Sequence, residues 1–217
     1  RKTEEPTAPD FRLTNPDDPA QNPSTFLRHY LRACADPEDK VASGLSTLDA
    51  HLGGGLGSGL HVATGGPNAP LTAFALSLIW EPMSSGRPVL FYALREGGAS
   101  IWTRLVATLA LMLGFPELTL TALRSHHLDA AATQDLVHID DIIQASILPL
   151  VQLIDPLPLR RDPLDALLED ISARVHDSRE SHGRTPLVVL DDVDRLASVA
   201  HRGSCVPLLE RLSDSPV

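Results

Sequence analysis

A mainly parallel α/β sheet with helices on both faces is the fold class this sequence predicts, and three observations predict it. Short apolar runs recur at Leu60–Thr64, Pro88–Ala93, Ile147–Ile154 and Leu187–Leu190. Segments with helical spacing of apolar residues lie between them, notably Ala99–Leu113 and Pro163–Ser181. The clearest runs, Pro88–Ala93 and Leu187–Leu190, are apolar throughout rather than alternating, which marks strands buried on both faces. Alternation of such strands with helices favours parallel pairing.

Each element has a local reason. Residues 1–23 hold Pro6, Pro9, Pro16, Pro19 and Pro23 among polar residues, with no apolar period, and read as a tail or linker. Residues 24–36 read as a short helix: Ser24 is an N-cap, Phe26, Leu27, Tyr30 and Leu31 form a stripe, and Asp36-Pro37 ends it. The stripe needs a partner surface, either its own domain or a neighbouring subunit. The α/β pattern occupies residues 41–217. A short helix begins at Ser46 and runs through Leu52, and Gly53–Gly59 forms a tight turn rather than a ligand cradle. The strand Leu60–Thr64, a loop Gly65–Leu71 and a helix Thr72–Trp80 follow. Leu118–Ala131 reads as helical, and Leu164, Leu167, Leu168, Ile171 and Val175 line one side of the helix Pro163–Ser181. The alternation predicts further strands beyond Val217.

Charge and composition exclude several classes. The chain has 28 acidic against 18 basic residues and a net charge of −10, against a surface built wholly to hold nucleic acid. With 43 % hydrophobic residues it can bury a core. Aromatics supply only 4 %, so that core rests on Leu, Val, Ile and Ala. Cys34 and Cys205 form no Cys-x-x-Cys, so no zinc knuckle or redox pair is encoded, and a reducing, cytoplasmic setting is expected. The uncharged run Leu52–Trp80 contains seven glycines and two prolines, unlike a membrane span. Nothing resembles a signal segment at the start of the sequence. No His-Glu-x-x-His or Cys/His spacing gives a metal site, and no Gly-x-Ser-x-Gly elbow supports a serine hydrolase. The pair His126-His127, on a predicted helix, and the cations Arg124, Arg160 and Arg161 read as solvated charge.

Strand, loop and helix around residues 60–80 have the layout of a phosphate-binding loop, G-x-x-x-x-G-K-[ST]. In that motif backbone N–H groups cradle phosphates, the lysine neutralises them and the hydroxyl holds Mg²⁺. The eight positions here are Gly65, Gly66, Pro67, Asn68, Ala69, Pro70, Leu71 and Thr72. The first glycine and the final threonine remain. Pro70 replaces the second glycine and has no N–H to donate. Leu71 replaces the lysine, and the chain's only lysines are Lys2 and Lys40.

The run "GLSTLDAHLGGGLGSGLHVATGGPNAPLTAFALSLI", followed by "GRPVLFYALREG", resembles the RecA-fold motor domain of DnaB-type replicative helicases and their RadA and KaiC relatives. Those families carry a similar "G-x-x-x-LD-x-x-x-GGG-L" lead-in, the phosphate loop and a "PVLF-x-SLE" strand. The resemblance continues through "LVQLIDPLPLRRDPLDALLEDISARVHDSRESHGRTPLVVLDDVDRL" and covers about residues 43–197. It implies a RecA-like P-loop fold with a degenerate Walker A loop. In the family the glutamate of "SLE" polarises the attacking water. Arg95 stands in that place, with Glu96 one residue on. Asp191 matches the acid that holds Mg²⁺ through water, and Asp192 stands where the family often has an aromatic. Thr72 and Asp191 are thus the surviving metal-side candidates, while the phosphate clamp and the catalytic acid look lost.

Phosphoryl transfer rests on positioning and charge neutralisation, so joint loss of these parts predicts no efficient hydrolysis. The expectation is a pseudo-ATPase with no catalytic residue, no cofactor and no metal, serving as an oligomeric scaffold or regulatory subunit. RecA-like domains commonly pack side by side, and in the DnaB family a linker helix before the motor docks on the adjacent subunit. Residues 24–36 sit in the matching place, with Phe26, Leu27, Tyr30 and Leu31 as anchors. The partner expected is therefore another protein subunit, of the same or a different kind, with no membrane. Two other readings stand beside it: a nucleic-acid-binding accessory in repair, recombination or replication, and a weak ATP binder or slow ATPase using Glu96.

Overall fold

A computed structural model describes residues 40–66, 68–155 and 163–194, with side chains of 163 and 164 excepted. The chain divides between Lys40 and Val41 into two units. All described residues except Lys40 belong to the second unit, so the stripe Phe26, Leu27, Tyr30 and Leu31 lies outside the described residues.

The elements, in chain order, are α1 (Ser46–His51), α2 (Leu71–Ser77), α3 (Trp80–Ser84), β1 (Val89–Ala93), α4 (Gly98–Leu113), α5 (Leu120–Ser125) and α6 (Ala130–Ile142). A π-helical turn Ile143–Ile147 extends α6, and β2 (Val151–Ile154), α7 (Pro163–His182) and β3 (Leu187–Asp191) follow. The three strands form one parallel sheet in the order β2-β1-β3. Val89 is level with Val151 on one side and Leu187 on the other, so the C-terminal ends of β1 and β3 lie together.

Both faces of the sheet are covered, as the apolar run Val-Leu-Phe-Tyr-Ala of β1 requires, all five residues being buried. Val89, Phe91 and Ala93 face a core with Leu76, Ile79, Ile101, Leu105 and Ile139 from the helices on that side. Leu90, Tyr92 and Leu94 face Leu167, Ile171 and Val175 of α7. Tyr92 carries a polar atom into this second core, and its hydroxyl donates to Asp170 at 2.8 Å. Arg174 also donates to Asp170, at 2.7 Å, and to Gln152 of β2 at 3.3 Å. Burial of Tyr92, then its bond to the Asp170 carboxylate, push its ionisation well above the ordinary tyrosine range.

The helices begin and end where local chemistry dictates. The Thr119 hydroxyl accepts from Ala122 N at 3.1 Å and caps α5. Asp129 Oδ1 caps α6 by accepting from Ala132 N at 2.8 Å. Gly114 ends α4 in the left-handed conformation. The lead-in is held by Asp49, whose carboxylate accepts from Ser43 N at 2.9 Å. Hydrogen bonds from Ser43, its side chain first and then its backbone, hold the Asp49 carboxyl below the usual range. At the start of the glycine-rich run Gly53 N bonds to Ala50 O at 3.2 Å and Gly54 N to Asp49 O at 2.7 Å, and Val41 and Leu56 exchange backbone bonds of 2.8 Å. Gly55, at φ +133°, sits so close that a Cβ would meet Val41 O at 2.6 Å.

Four expectations are corrected. Leu60–Thr64 has no ladder partner among the described residues and is exposed throughout, because a short apolar run is a strand only where a neighbouring strand bonds its backbone. The helix expected over Thr72–Trp80 is two short ones, α2 and α3, joined at Leu78-Ile79. The segment Leu118–Ala131 breaks at His126, which takes φ +54° as the C-cap of α5, so His126-His127 are not within a helix. The strand expected from Ile147 starts at Val151, since Ile143 and Ile147 bury themselves through the π-helical turn instead. Among the described residues no helix is long and apolar enough to cross a membrane.

Candidate functional site

In open parallel sheets, ligands bind beyond the carboxyl ends of the strands, where neighbouring connections diverge. β1 sends its chain towards β2 on one side, while β3 lies on its other side. The sequence candidates Arg95, Glu96, Asp191 and Asp192 follow β1 and end β3 at that point.

Thr72, in the first turn of α2, donates from Oγ1 to Asp191 Oδ1 at 3.2 Å. This bond joins the end of the predicted phosphate loop to the end of β3. Asp191 is only 5 % exposed, and its Oδ2 is buried without a hydrogen-bond partner. Desolvation raises the Asp191 carboxyl above the usual range; the Thr72 bond opposes that, and the Asp192 and Glu96 charges reinforce it. Asp192 is half-buried, follows a cis peptide bond, and meets Arg95 Nη1 at 3.4 Å. The Arg95 side chain is 66 % exposed, so this pair is a weak surface contact.

Glu96 is held differently. Its Oε2 accepts from Ser100 Oγ at 2.6 Å and Arg104 Nε at 3.1 Å. Its Oε1 accepts from Arg104 Nη2 at 2.9 Å, completing a fork-to-fork pair. The Arg104 bonds, then the Ser100 bond, hold the Glu96 carboxyl below the usual range. Both oxygens are directed to the first two turns of α4, which leaves neither as an available general base. Arg124, expected as solvated charge, donates to Ser100 Oγ at 3.3 Å on an exposed surface.

The loop departs from a phosphate cradle in its packing as well as its letters. Pro67 lies outside the described residues. A methyl group placed on Gly65 would collide with Ala69 Cβ and lie 3.4 Å from Leu71 Cδ2, so these two side chains pack over that glycine. Ala69 N is bound to Gly66 O at 3.0 Å and Leu71 N to Ala69 O at 2.8 Å. Those two amides close the loop on itself. Asn68 takes φ +68°, a conformation asparagine tolerates better than most side chains. Pro70 is the N-cap of α2 and brings no donor.

The structure therefore brings together Thr72, Asp191, Asp192, Arg95 and Glu96 at one end of the sheet. In the loop Gly65, Gly66, Asn68, Ala69 and Leu71, the side chains of Ala69 and Leu71 pack over Gly65, while Gly66 has open space beside it. Three supporting residues were not legible as such. Arg104 and Ser100 carry a faint signal, lying eight and four residues after Glu96 on one helix face. Asp155, after β2, accepts from Gly98 N at the start of α4, and a Cβ on Gly98 would meet its Oδ1 at 2.9 Å. Among the described residues no group of three His, Cys, Asp or Glu side chains could hold a metal ion. No family model matches the chain, and no curated protein matches it.

Proposed function

We propose that this chain is a non-catalytic RecA-fold protein, a pseudo-ATPase that acts as an oligomeric scaffold or regulatory subunit. The observation that carries the non-catalytic part is the packing of Ala69 and Leu71 over Gly65. A phosphate group needs that concavity and a cation beside it, and here it meets two methyl-bearing side chains. The Glu96–Arg104 pair at 2.9 Å points the same way, since it occupies the Glu96 carboxylate with donors of α4. The scaffold part rests on the resemblance to RecA-like domains, which assemble through their flanks, and on the apolar stripe of residues 24–36.

Calorimetric titration of the intact chain with ATP and Mg²⁺ tests the first part, with no saturable heat expected at millimolar nucleotide. The double change Pro70→Gly with Leu71→Lys rebuilds the clamp and is expected to create measurable nucleotide binding. Saturable binding by the unaltered chain sinks the reading. Native mass by light scattering tests the second part: an assembly is expected, and Leu27→Asp with Leu31→Asp is expected to dissociate it.

A second reading, residual binding of nucleotide with Mg²⁺, is favoured by one observation. The Thr72–Asp191 bond of 3.2 Å keeps the two metal-side groups together, with one carboxylate oxygen still unpartnered. Saturable stabilisation of the unaltered chain by ATP with Mg²⁺, lost in Asp191→Asn, would favour this reading over the first.

A further inference from the structure

Apolar side chains crowd the uncovered end of α4. Leu111 and Met112 are exposed by 70 % and 62 %, the two most exposed large apolar side chains among the described residues. Leu113 beside them is also exposed, and Gly114 then ends the helix. Val137 of α6 adds a fourth apolar group, 51 % exposed. The two helices share the first core, to which Leu105 and Leu109 of α4 and Ile139 of α6 belong. One ring contact fixes which parts of them meet. Phe115, just past α4, lies edge-on to His138, the neighbour of Val137, with ring centroids 6.0 Å apart. Ordinary surfaces carry such residues singly, and a cluster marks an interaction site.

The charge around this cluster has one sign. Asp140 and Asp141 follow Val137 by three and four residues, so they share its exposed face of α6. Glu117, two residues after Phe115, is exposed as well. No described cation pairs with any of these three carboxylates. Between Leu105 and Ile142 the acidic residues are Glu117, Asp129, Asp135, Asp140 and Asp141, against a single arginine, Arg124. Arg124 reaches Ser100 in the first turn of α4, at the opposite end of that helix. A second copy docked face to face about a twofold axis would set these carboxylates against their own kind. A cationic partner meets no such penalty.

We propose that the end of α4 and the exposed face of α6 form a docking surface for a basic amphipathic helix of a partner protein. Apolar side chains at helical spacing on that partner cover Leu111, Met112 and Val137. Its lysines or arginines lie over Asp140, Asp141 and Glu117, where they set orientation more than affinity. Met112 suits the contact, because an unbranched thioether chain adapts to the shape laid against it. The proposal deepens the scaffold reading and rests on it for the presence of a protein partner. Native mass tests that reading, and peptide affinity tests this one.

The probe is a fluorescein-labelled synthetic peptide about four helical turns long, with leucines on one face and lysines on the other. Its fluorescence anisotropy is followed as the full-length chain is added, and saturable binding is expected. Leu111→Ser with Met112→Ser should weaken binding at least about tenfold, since the apolar anchors carry most of the affinity. Val137→Ser is the second variant, should the first disturb folding as read by circular dichroism, and should weaken binding likewise. Asp140→Lys with Asp141→Lys is also expected to weaken it about tenfold. Glu169→Lys with Asp177→Lys makes the same change in net charge on exposed positions of α7 and should leave affinity within about twofold. Equal losses in the two charge reversals overturn the proposal, because the peptide then follows the charge of the whole chain. Absent binding, or binding that survives loss of the apolar anchors, overturns it too. So does a lower native mass of Leu111→Ser with Met112→Ser in the absence of peptide, because a second copy of the chain then covers the surface.

Discussion

Two carboxylates stand at the same end of the sheet and are treated in opposite ways. Glu96 follows β1 and has three charge-assisted or hydroxyl donors within 3.1 Å. Asp191 ends β3 with one donor at 3.2 Å and one bare, buried oxygen. The first is held below the ordinary carboxyl range and the second above it. Glu96 therefore supports the fold, whereas Asp191 costs it stability when ionised. A buried carboxylate that burdens the fold marks a candidate site more strongly than one that braces it. This is why the site is centred on Asp191 and Thr72 rather than on Glu96.

The largest effect is expected from Thr72→Val, which strips the buried Asp191 carboxylate of its only hydrogen bond among the described residues. A loss of about 1–3 kcal/mol is expected, read by urea denaturation at pH 7. Because the Thr72 bond works against the upward shift, the Asp191 carboxyl is also expected to move further up. An unchanged midpoint would mean that water already serves Asp191.

Arg104→Met comes next. Both partners of the Glu96–Arg104 pair are about a quarter exposed, so about 1 kcal/mol is expected after solvent screening. The sign with pH separates it from the first variant. A lowered carboxyl contributes stability above its ordinary value of 4.5, and that contribution is lost as pH falls through its folded value. The stability gap between Arg104→Met and the unaltered chain should therefore shrink in acid.

Asp191→Asn has the smallest expected effect and the opposite sign. A raised carboxyl lowers stability as pH rises from the ordinary value of 3.8 through its folded value. Removing the charge should stabilise the chain at pH 7 by up to about 1 kcal/mol, with the gain vanishing towards pH 4. Thermal melts across that interval measure it. A destabilised variant at pH 7 would show that Asp191 braces the fold as Glu96 does, and the contrast between them would collapse.

Much of the fold was legible because its signals are local and strong. The unbroken apolar run Val89–Ala93 could only be a strand buried on both faces, and the period of Leu167, Ile171 and Val175 could only be one face of a helix. The meeting of Thr72 with Asp191, 119 positions apart, was legible only through the resemblance to a phosphate-loop fold, which the two residues alone do not encode. The π-helical turn at Ile143–Ile147 was hidden because apolar residues at 143 and 147 suit a helix or a strand end equally. The break at His126 depends on a left-handed cap that no glycine announces. The capture of Glu96 depends on rotamers, so spacing could suggest Arg104 but not choose it over solvent.

The bond between Asp155 and the Gly98 amide has a kinetic consequence. It links residues 57 positions apart, and it caps the longest described helix of the first core. The Gly98 amide therefore lacks its Asp155 partner until β2 has found β1, a pairing between distant parts of the chain. Both strand pairings in this sheet join residues far apart in sequence, which is the topology of a slow folder. The first turn of α4 should then be among the last parts to consolidate. Gly98→Ala, which would speed many helices, should here hasten unfolding, because the added methyl meets the Asp155 carboxylate after the transition state has been passed.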